Sequence, residues 1–86
     1  MNHEHLMERL FEILINGDRP ASRALISQMK EAGMTGNQML SDVYWPSYEA
    51  IERLNRNDQL TVLSYRLATR LLRVMIDQTS TLLEHA

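Results

Sequence analysis

The 86-residue chain contains no cysteine, only three glycines and only two prolines. The lack of cysteine excludes a disulfide framework, a thiolate metal site and a thiol nucleophile. So few glycines and prolines argue against a succession of β-turns and against a glycine-rich phosphate loop. No apolar run approaches the ~20 residues that a membrane span needs, and the first residues lack the pattern of a signal peptide. We therefore expect a cytoplasmic domain that does not enter a membrane.

The charges are nearly balanced, with nine basic and eleven acidic residues and a formal net charge of −2. This balance argues against a general electrostatic clamp on nucleic acid, so we expect no nucleic-acid partner. Hydrophobic residues make up 44% of the chain and charged residues 23%, a composition that can form a packed core.

Apolar residues recur at helical spacing along the whole chain, and the alternation typical of a half-buried strand is found over no useful length. The pattern predicts four helices, at about residues 3–16, 19–32, 36–54 and 61–84, with a polar loop at residues 55–59. Because the first connections are only two or three residues long, the helices should form an antiparallel four-helix bundle. We expect one domain over residues 1–86.

Turn-forming and capping residues mark the ends of these helices. Gly17 and Gly33 suit the left-handed position that follows a helix. Asp18 and Thr61 can cap the helices that come after them. Residues 35–38 (TGNQ) have the spacing of a capping box, with threonine first and glutamine three positions later.

Pro46 falls inside the third expected helix. A proline there removes one backbone hydrogen bond and clashes with the preceding turn, so we expect a kink near residues 42–45. The apolar stripes of the four helices should face a common core. The expected core positions are Leu6, Leu10, Ile13, Leu14, Ala21, Ala24, Leu25, Met29, Ala32, Leu40, Val43, Tyr44, Tyr48, Ile51, Leu54, Leu63, Leu67, Leu71, Val74, Met75 and Leu82.

Five short segments resemble one protein family in their order and spacing. They are residues 14–19 (LINGDR), 24–26 (ALI), 32–35 (AGMT), 39–46 (MLSDVYWP) and 67–69 (LAT). Together they resemble the helical cap module that precedes the Rossmann-like cobalamin-binding domain. That module occurs in cobalamin-dependent methionine synthase, corrinoid methyltransfer proteins and light-sensing cobalamin-dependent repressors. The resemblance implies that a Rossmann-like domain follows this module in the parent protein.

The chain departs from this family where the module would face the corrin. The family's Gly-x-x-Trp element, whose indole covers the ring, falls on Glu52 and Asn55, and the glycine before its last helix falls on Asp58. The family's Glu-His pair falls on Tyr65 and Arg66. An asparagine amide cannot replace an indole packed on a flat ring, and arginine is permanently charged. The resemblance therefore implies a retained scaffold with altered corrin-facing chemistry.

We expect a non-enzymatic regulatory or interaction module, with no cofactor of its own, that resembles a cobalamin-binding cap without its usual corrin contacts. No arrangement of serine, histidine and carboxylate residues suggests a catalytic site, and no histidine pair has metal-ligand spacing. The side chains of Ile15, Ile26, Val62 and Ile76 fall outside the inner stripes. They either form a second apolar surface, for a protein partner or a homodimer, or widen the core face of a small domain.

The alternative is a functional cap that covers cobalamin, or another planar or anionic cofactor, held by a downstream Rossmann-like domain. The cofactor contacts would then be Asn55, Tyr65 and Arg66, with Tyr48 nearby. Tyr48 and Tyr65 either flank a cleft between the third and fourth helices or are ordinary half-buried tyrosines. Trp45, beside the kinking proline, is either an aromatic platform for a ligand or a packing residue.

Arg66, Arg70 and Arg73 recur at helical spacing on the last expected helix. Such a stripe either binds an anionic ligand, RNA or an acidic partner surface, or is a solvated face paired with acids such as Glu49 and Glu52. The weak net charge and the lack of interleaved aromatic residues disfavour the nucleic-acid interpretation.

Overall fold

The computed structural model describes residues 3–83, and the side chains of residues 4–81. In this part of the chain all regular structure is helical, which confirms the expected all-α four-helix arrangement. The elements are α1 (His3–Asn16), α2 (Arg19–Glu31), α3 (Gly36–Gln38), a π-helix (Met39–Tyr44), α4 (Trp45–Arg56) and α5 (Val62–Leu83). From α3 to α4 the helix continues without a break, so these three elements together form the expected third helix. The expected end of the last helix at residue 84 lies outside the described residues.

Three helices end in the same backbone motif, in which a left-handed residue follows the helix and two amides bond back to the last turn. Gly17 (φ 62°) follows α1, Gly33 (φ 89°) follows α2, and Asp58 (φ 55°) follows α4. At the end of α4, the N–H of Asp58 bonds to the carbonyl of Asn55, and the next N–H bonds to the carbonyl of Leu54. The expected ends at the two glycines are confirmed. The expected loop began too early, because α4 continues through residues 55 and 56.

Polar side chains begin the helices as predicted. Asp18 accepts a hydrogen bond from the backbone N–H of Ala21 at 3.1 Å, and Thr61 accepts one from the N–H of Ser64 at 3.0 Å. The capping box at residues 35–38 is complete, since each of its two side chains accepts a hydrogen bond from the backbone N–H of the other residue. These caps satisfy amides that a helix leaves unpaired in its first turn.

A π-helix occupies the place where a proline kink was expected. The N–H of Trp45 bonds to the carbonyl of Leu40, five residues back instead of four. Pro46 has no N–H to donate, and its ring would clash with the carbonyl of Asp42 in a regular α-helix. The wider turn just before the proline accommodates both effects and changes which side chains face inward. Met39 is therefore buried, while the neighbouring Leu40 is only half-buried.

The core is formed by side chains from all the long helices, and α5 packs against every other element. Its buried hydrophobic residues are Leu6, Leu10, Ile13, Leu14, Leu25, Met29, Met39, Val43, Tyr44, Ile51, Ala68, Leu71, Leu72 and Met75. Most of the expected core positions are confirmed in this set. Five others, Ala21, Leu40, Leu54, Leu67 and Val74, are half-buried at its edge. Leu82 lies outside the described side chains.

Four expected core residues are exposed, and each has a local reason. Ala24 is about 100° around α2 from the buried Leu25. Ala32 is the residue that caps the end of α2. Leu63 lies five residues before the buried Ala68, and residues that far apart do not share a helix face. Leu63 is therefore off the inward face of α5 and is 67% exposed.

Tyr48, the fourth of these residues, is 39% exposed, and Ser47 occupies the inward position in its place. The Ser47 hydroxyl is buried and finds no hydrogen-bond partner among the residues that the structure describes.

A buried hydrogen bond connects the π-helix to α5. The hydroxyl of Tyr44 lies 2.8 Å from Oγ1 of Thr79, and both side chains are almost fully buried. Burial raises the pKa of the Tyr44 hydroxyl, and its hydrogen bond with Thr79 offsets part of that effect. This bond fixes the segment that carries the adjacent Trp45.

Candidate binding surface

Two exposed aromatic rings stack at the start of α4. The ring centroids of Trp45 and Tyr48 are 5.7 Å apart, and the ring planes are inclined by 29°. Their three-residue spacing places both rings on one face of the helix. Trp45 is 59% exposed, so much of the indole faces solvent. The sequence left open whether this residue packs inside or forms a platform, and the exposed position is compatible with a platform.

A groove, here called the aromatic groove, runs beside this pair of rings. Its volume is about 680 Å³. The lining residues are Asn37, Leu40, Ser41, Tyr44, Trp45, Tyr48 and Ile76. All of them are uncharged, and Ile76 contributes the wall on α5. The aromatic groove is therefore an apolar surface with a neutral rim.

A second groove, the central groove, lies between α4 and α5 and has a volume of about 530 Å³. It is lined by Tyr48, Glu52, Tyr65, Thr69, Leu72, Arg73, Ile76 and Asp77. The hydroxyl of Tyr65 donates a hydrogen bond of 2.5 Å to Oε1 of Glu52. The pKa of Tyr65 is raised, chiefly by this hydrogen bond and to a lesser extent by desolvation and the negative charge of Glu52. All three effects favour the neutral form of the hydroxyl.

A third hollow, the arginine depression, is smaller, with a volume of about 380 Å³. It is lined by Arg66, Thr69, Arg70 and Arg73, and the three arginines are exposed. Within the described side chains, these arginines have no carboxylate at ion-pair distance. Among the described side chains, the pairing with Glu49 or Glu52 that one of the two interpretations of this stripe included is therefore not found. The hydroxyl of Thr69 bonds to the carbonyl of Tyr65 at 3.0 Å, which turns it back toward its own helix.

The three hollows lie next to one another along one track, because neighbouring hollows share lining residues. Tyr48 and Ile76 line both the aromatic groove and the central groove. Thr69 and Arg73 line both the central groove and the arginine depression. The track is apolar at one end and positively charged at the other, and the carboxylates of the central groove lie between.

The structure brings some of the four proposed cofactor contacts together and separates others. Tyr48 and Tyr65 both line the central groove between α4 and α5, as in the first of the two interpretations that the sequence left open. Arg66 lies in the arginine depression. Asn55 is half-buried near the end of α4 and lines none of the three hollows. Three of the four residues therefore line the adjoining hollows, and Asn55 does not.

The hydrogen bond between Glu52 and Tyr65 was not predicted from the sequence, and neither was the place of Ile76 in the lining of two grooves. Glu52 and Tyr65 are 13 positions apart, on two helices. No local spacing signals such a contact, because it depends on how the helices pack.

Among residues 3–83, none of the helices combines the length and apolarity needed to span a bilayer. In the same range no group of three or more histidine or acidic side chains is arranged to hold a metal ion. The chain matches no protein-family model, no curated protein and no solved structure.

Proposed function

We propose that this chain is a non-enzymatic interaction module that associates with a second copy of itself through the aromatic groove. The observation that carries this proposal is the exposed, stacked pair of Trp45 and Tyr48 beside an apolar groove. Exposed apolar patches on small domains mark interaction sites, and tryptophan and tyrosine are enriched where binding energy concentrates.

A second copy is the occupant that this surface fits best. The aromatic groove contains both a projecting side chain, Trp45, and the hollow beside it. A two-fold axis through this face would place the indole of each copy in the groove of the other, which is the self-complementary geometry of a symmetric dimer. The groove lining is uncharged, so two chains that each have a net charge of −2 can meet there without like charges facing each other.

Sedimentation velocity over a range of concentrations tests this proposal. We expect a monomer–dimer equilibrium, and a Trp45→Ala variant should raise the dimer Kd at least tenfold, as the loss of a central aromatic anchor does. Because Trp45 is the only tryptophan, its emission should shift to shorter wavelength as the dimer forms. Leu63→Ala is the matched control, since Leu63 is 67% exposed but lies outside the groove.

Two results would contradict the proposal. One is a strict monomer whose tryptophan emission does not change with concentration. The other is a dimer that Trp45→Ala leaves intact, since association would then use a different surface.

A second candidate function is the cofactor cap implied by the family resemblance. At Asp58, where the family has glycine, the backbone is left-handed, a conformation that glycine adopts without strain. Tyr48 and Tyr65 also share one groove. Against it, Asn55 lies apart and the hydroxyl of Tyr65 is already bonded to Glu52.

An absorbance titration with adenosylcobalamin and methylcobalamin tests the cap function, preferably on a parent protein that carries a downstream domain. A saturable spectral shift that is lost in the Tyr65→Ala/Arg66→Ala double variant supports it. Unchanged affinity in the double variant would exclude these side chains as cofactor contacts.

A further inference from the structure

The arginine depression concentrates positive charge on a chain whose net charge is negative. Arg66, Arg70 and Arg73 lie at i, i+4 and i+7 on one face of α5, without a carboxylate at ion-pair distance among the described side chains. Like charges at this spacing destabilise a helix. An unpaired cluster of this kind is therefore a candidate for an anionic ligand that would neutralise it.

Guanidinium groups favour one class of anion. Each presents a planar fork of N–H donors that matches the oxygens of a phosphate group. From Arg66 to Arg73 the helix rises about 10 Å. Neighbouring arginines can therefore hold one phosphate group between them, and the three together can span two or more linked phosphates.

The part of the ligand beyond its phosphates would lie in the central groove, because that groove shares Arg73 and Thr69 with the arginine depression. The ring of Tyr65 and nearby aliphatic side chains offer a surface for a planar group. The carboxylates of Glu52 and Asp77 accept hydrogen bonds and repel anions. The fitting ligand is anionic at one end, and planar with hydrogen-bond donors at the other.

We propose that the central groove and the arginine depression together bind a nucleoside diphosphate or triphosphate. The phosphates contact Arg66, Arg70 and Arg73, the base lies against Tyr65, and ribose hydroxyls or a base amino group donate to the carboxylates. A long polyanion fits less well, because it would place phosphates beside those carboxylates. This site goes beyond the proposed self-association and does not depend on it.

Isothermal titration of the full chain at low salt tests the proposal, with ADP, pyrophosphate, adenosine and a ten-residue oligothymidylate as probes. We expect saturable ADP binding, at least tenfold tighter than that of pyrophosphate or adenosine alone. The Arg66→Gln/Arg70→Gln variant should weaken ADP and pyrophosphate by about tenfold or more, because each loses charge-assisted hydrogen bonds. Tyr65→Ala should weaken ADP binding and leave pyrophosphate unchanged.

The matched control is Arg53→Gln/Arg56→Gln, which removes two exposed arginines from α4 outside the three hollows and should leave ADP affinity unchanged. Circular dichroism confirms that each variant is folded. The proposal is overturned if 1 mM ADP shows no saturable binding, or if the double arginine variant binds ADP as well as the original chain. Equal affinity for pyrophosphate and ADP would refute the nucleoside part, and tighter binding of the oligothymidylate would favour nucleic acid instead.

Discussion

The hydrogen bond between Tyr44 and Thr79 offers a sharp test of how this fold is held together. It joins the π-helix to α5 across 35 residues of sequence, and both partners are almost fully buried. Three variants probe it: Tyr44→Phe, Thr79→Val and the double variant. Each single change removes one hydroxyl, keeps nearly the same side-chain shape and leaves the other hydroxyl without its partner.

The expected magnitudes follow from that burial. A buried polar group that loses its partner costs about 1–3 kcal/mol, whereas replacement of both partners by apolar groups of the same shape is nearly neutral. We expect Thr79→Val to lower the free energy of unfolding by about 2 kcal/mol, since the buried phenol loses its hydrogen-bond partner. Tyr44→Phe should cost about 1 kcal/mol, because a threonine hydroxyl can bond to the carbonyl one turn back on its own helix. The double variant should be less destabilised than the two single changes together.

Urea unfolding followed by circular dichroism measures these three free energies. A change of 1 kcal/mol shifts the melting temperature of a domain of this size by about 4–8 °C, which is readily resolved. The double-mutant cycle should give a coupling of about 2–3 kcal/mol. Strict additivity of the two single changes would refute the reasoning, because the hydroxyls would then not depend on each other.

Four further predictions concern single positions. Asp58→Gly should raise the free energy of unfolding by about 0.5–1 kcal/mol in urea titrations, because glycine adopts the left-handed backbone without strain. Gly17→Ala should lower it by about 1–2 kcal/mol, since a Cβ there adds strain at φ 62° and approaches Cδ2 of Leu67 to 3.2 Å. Ser47→Ala should raise it by about 0.5–1 kcal/mol by removing a buried hydroxyl that lacks a partner in the described residues. Because the folded chain raises the pKa of Tyr44 above its ordinary value of 10.0, its contribution to stability is present below pH 10 and is lost as the pH rises further; Tyr44→Phe should flatten the fall in stability seen by alkaline urea titration.

Most helix ends could be predicted because the residues that decide them lie within a few positions of each other. A left-handed glycine such as Gly17, or the capping box at residues 35–38, works through its own backbone neighbourhood and little else. The core stripe of α1 was equally easy to predict, since four of its side chains recur without interruption at helical spacing. Local chemistry and the overall fold agree in these places.

Several of the errors arise where one helix changes its periodicity or where two helices must meet. A constant helical period assigned Tyr48 to the core, whereas the chain around the π-helix turns Ser47 inward. The Glu52–Tyr65 bond and the shared wall at Ile76 depend on how α4 packs against α5. A shared cleft for Tyr48 and Tyr65 could be proposed because the bundle already places them on facing helices. The track as a whole could not be predicted.

The π-helix also affects how this chain tolerates changes in length. A π-turn carries one residue more than the α-helix on either side of it needs. Loss of a single residue within Met39–Tyr44 could convert the segment to regular α-helix while the flanking helices keep their positions. The helices α1 and α5 contain no extra residue of this kind. A deletion inside either would rotate every later side chain of that helix by about 100°. The π-helix is therefore the place among the long helices where a shortened version of this domain would retain its fold.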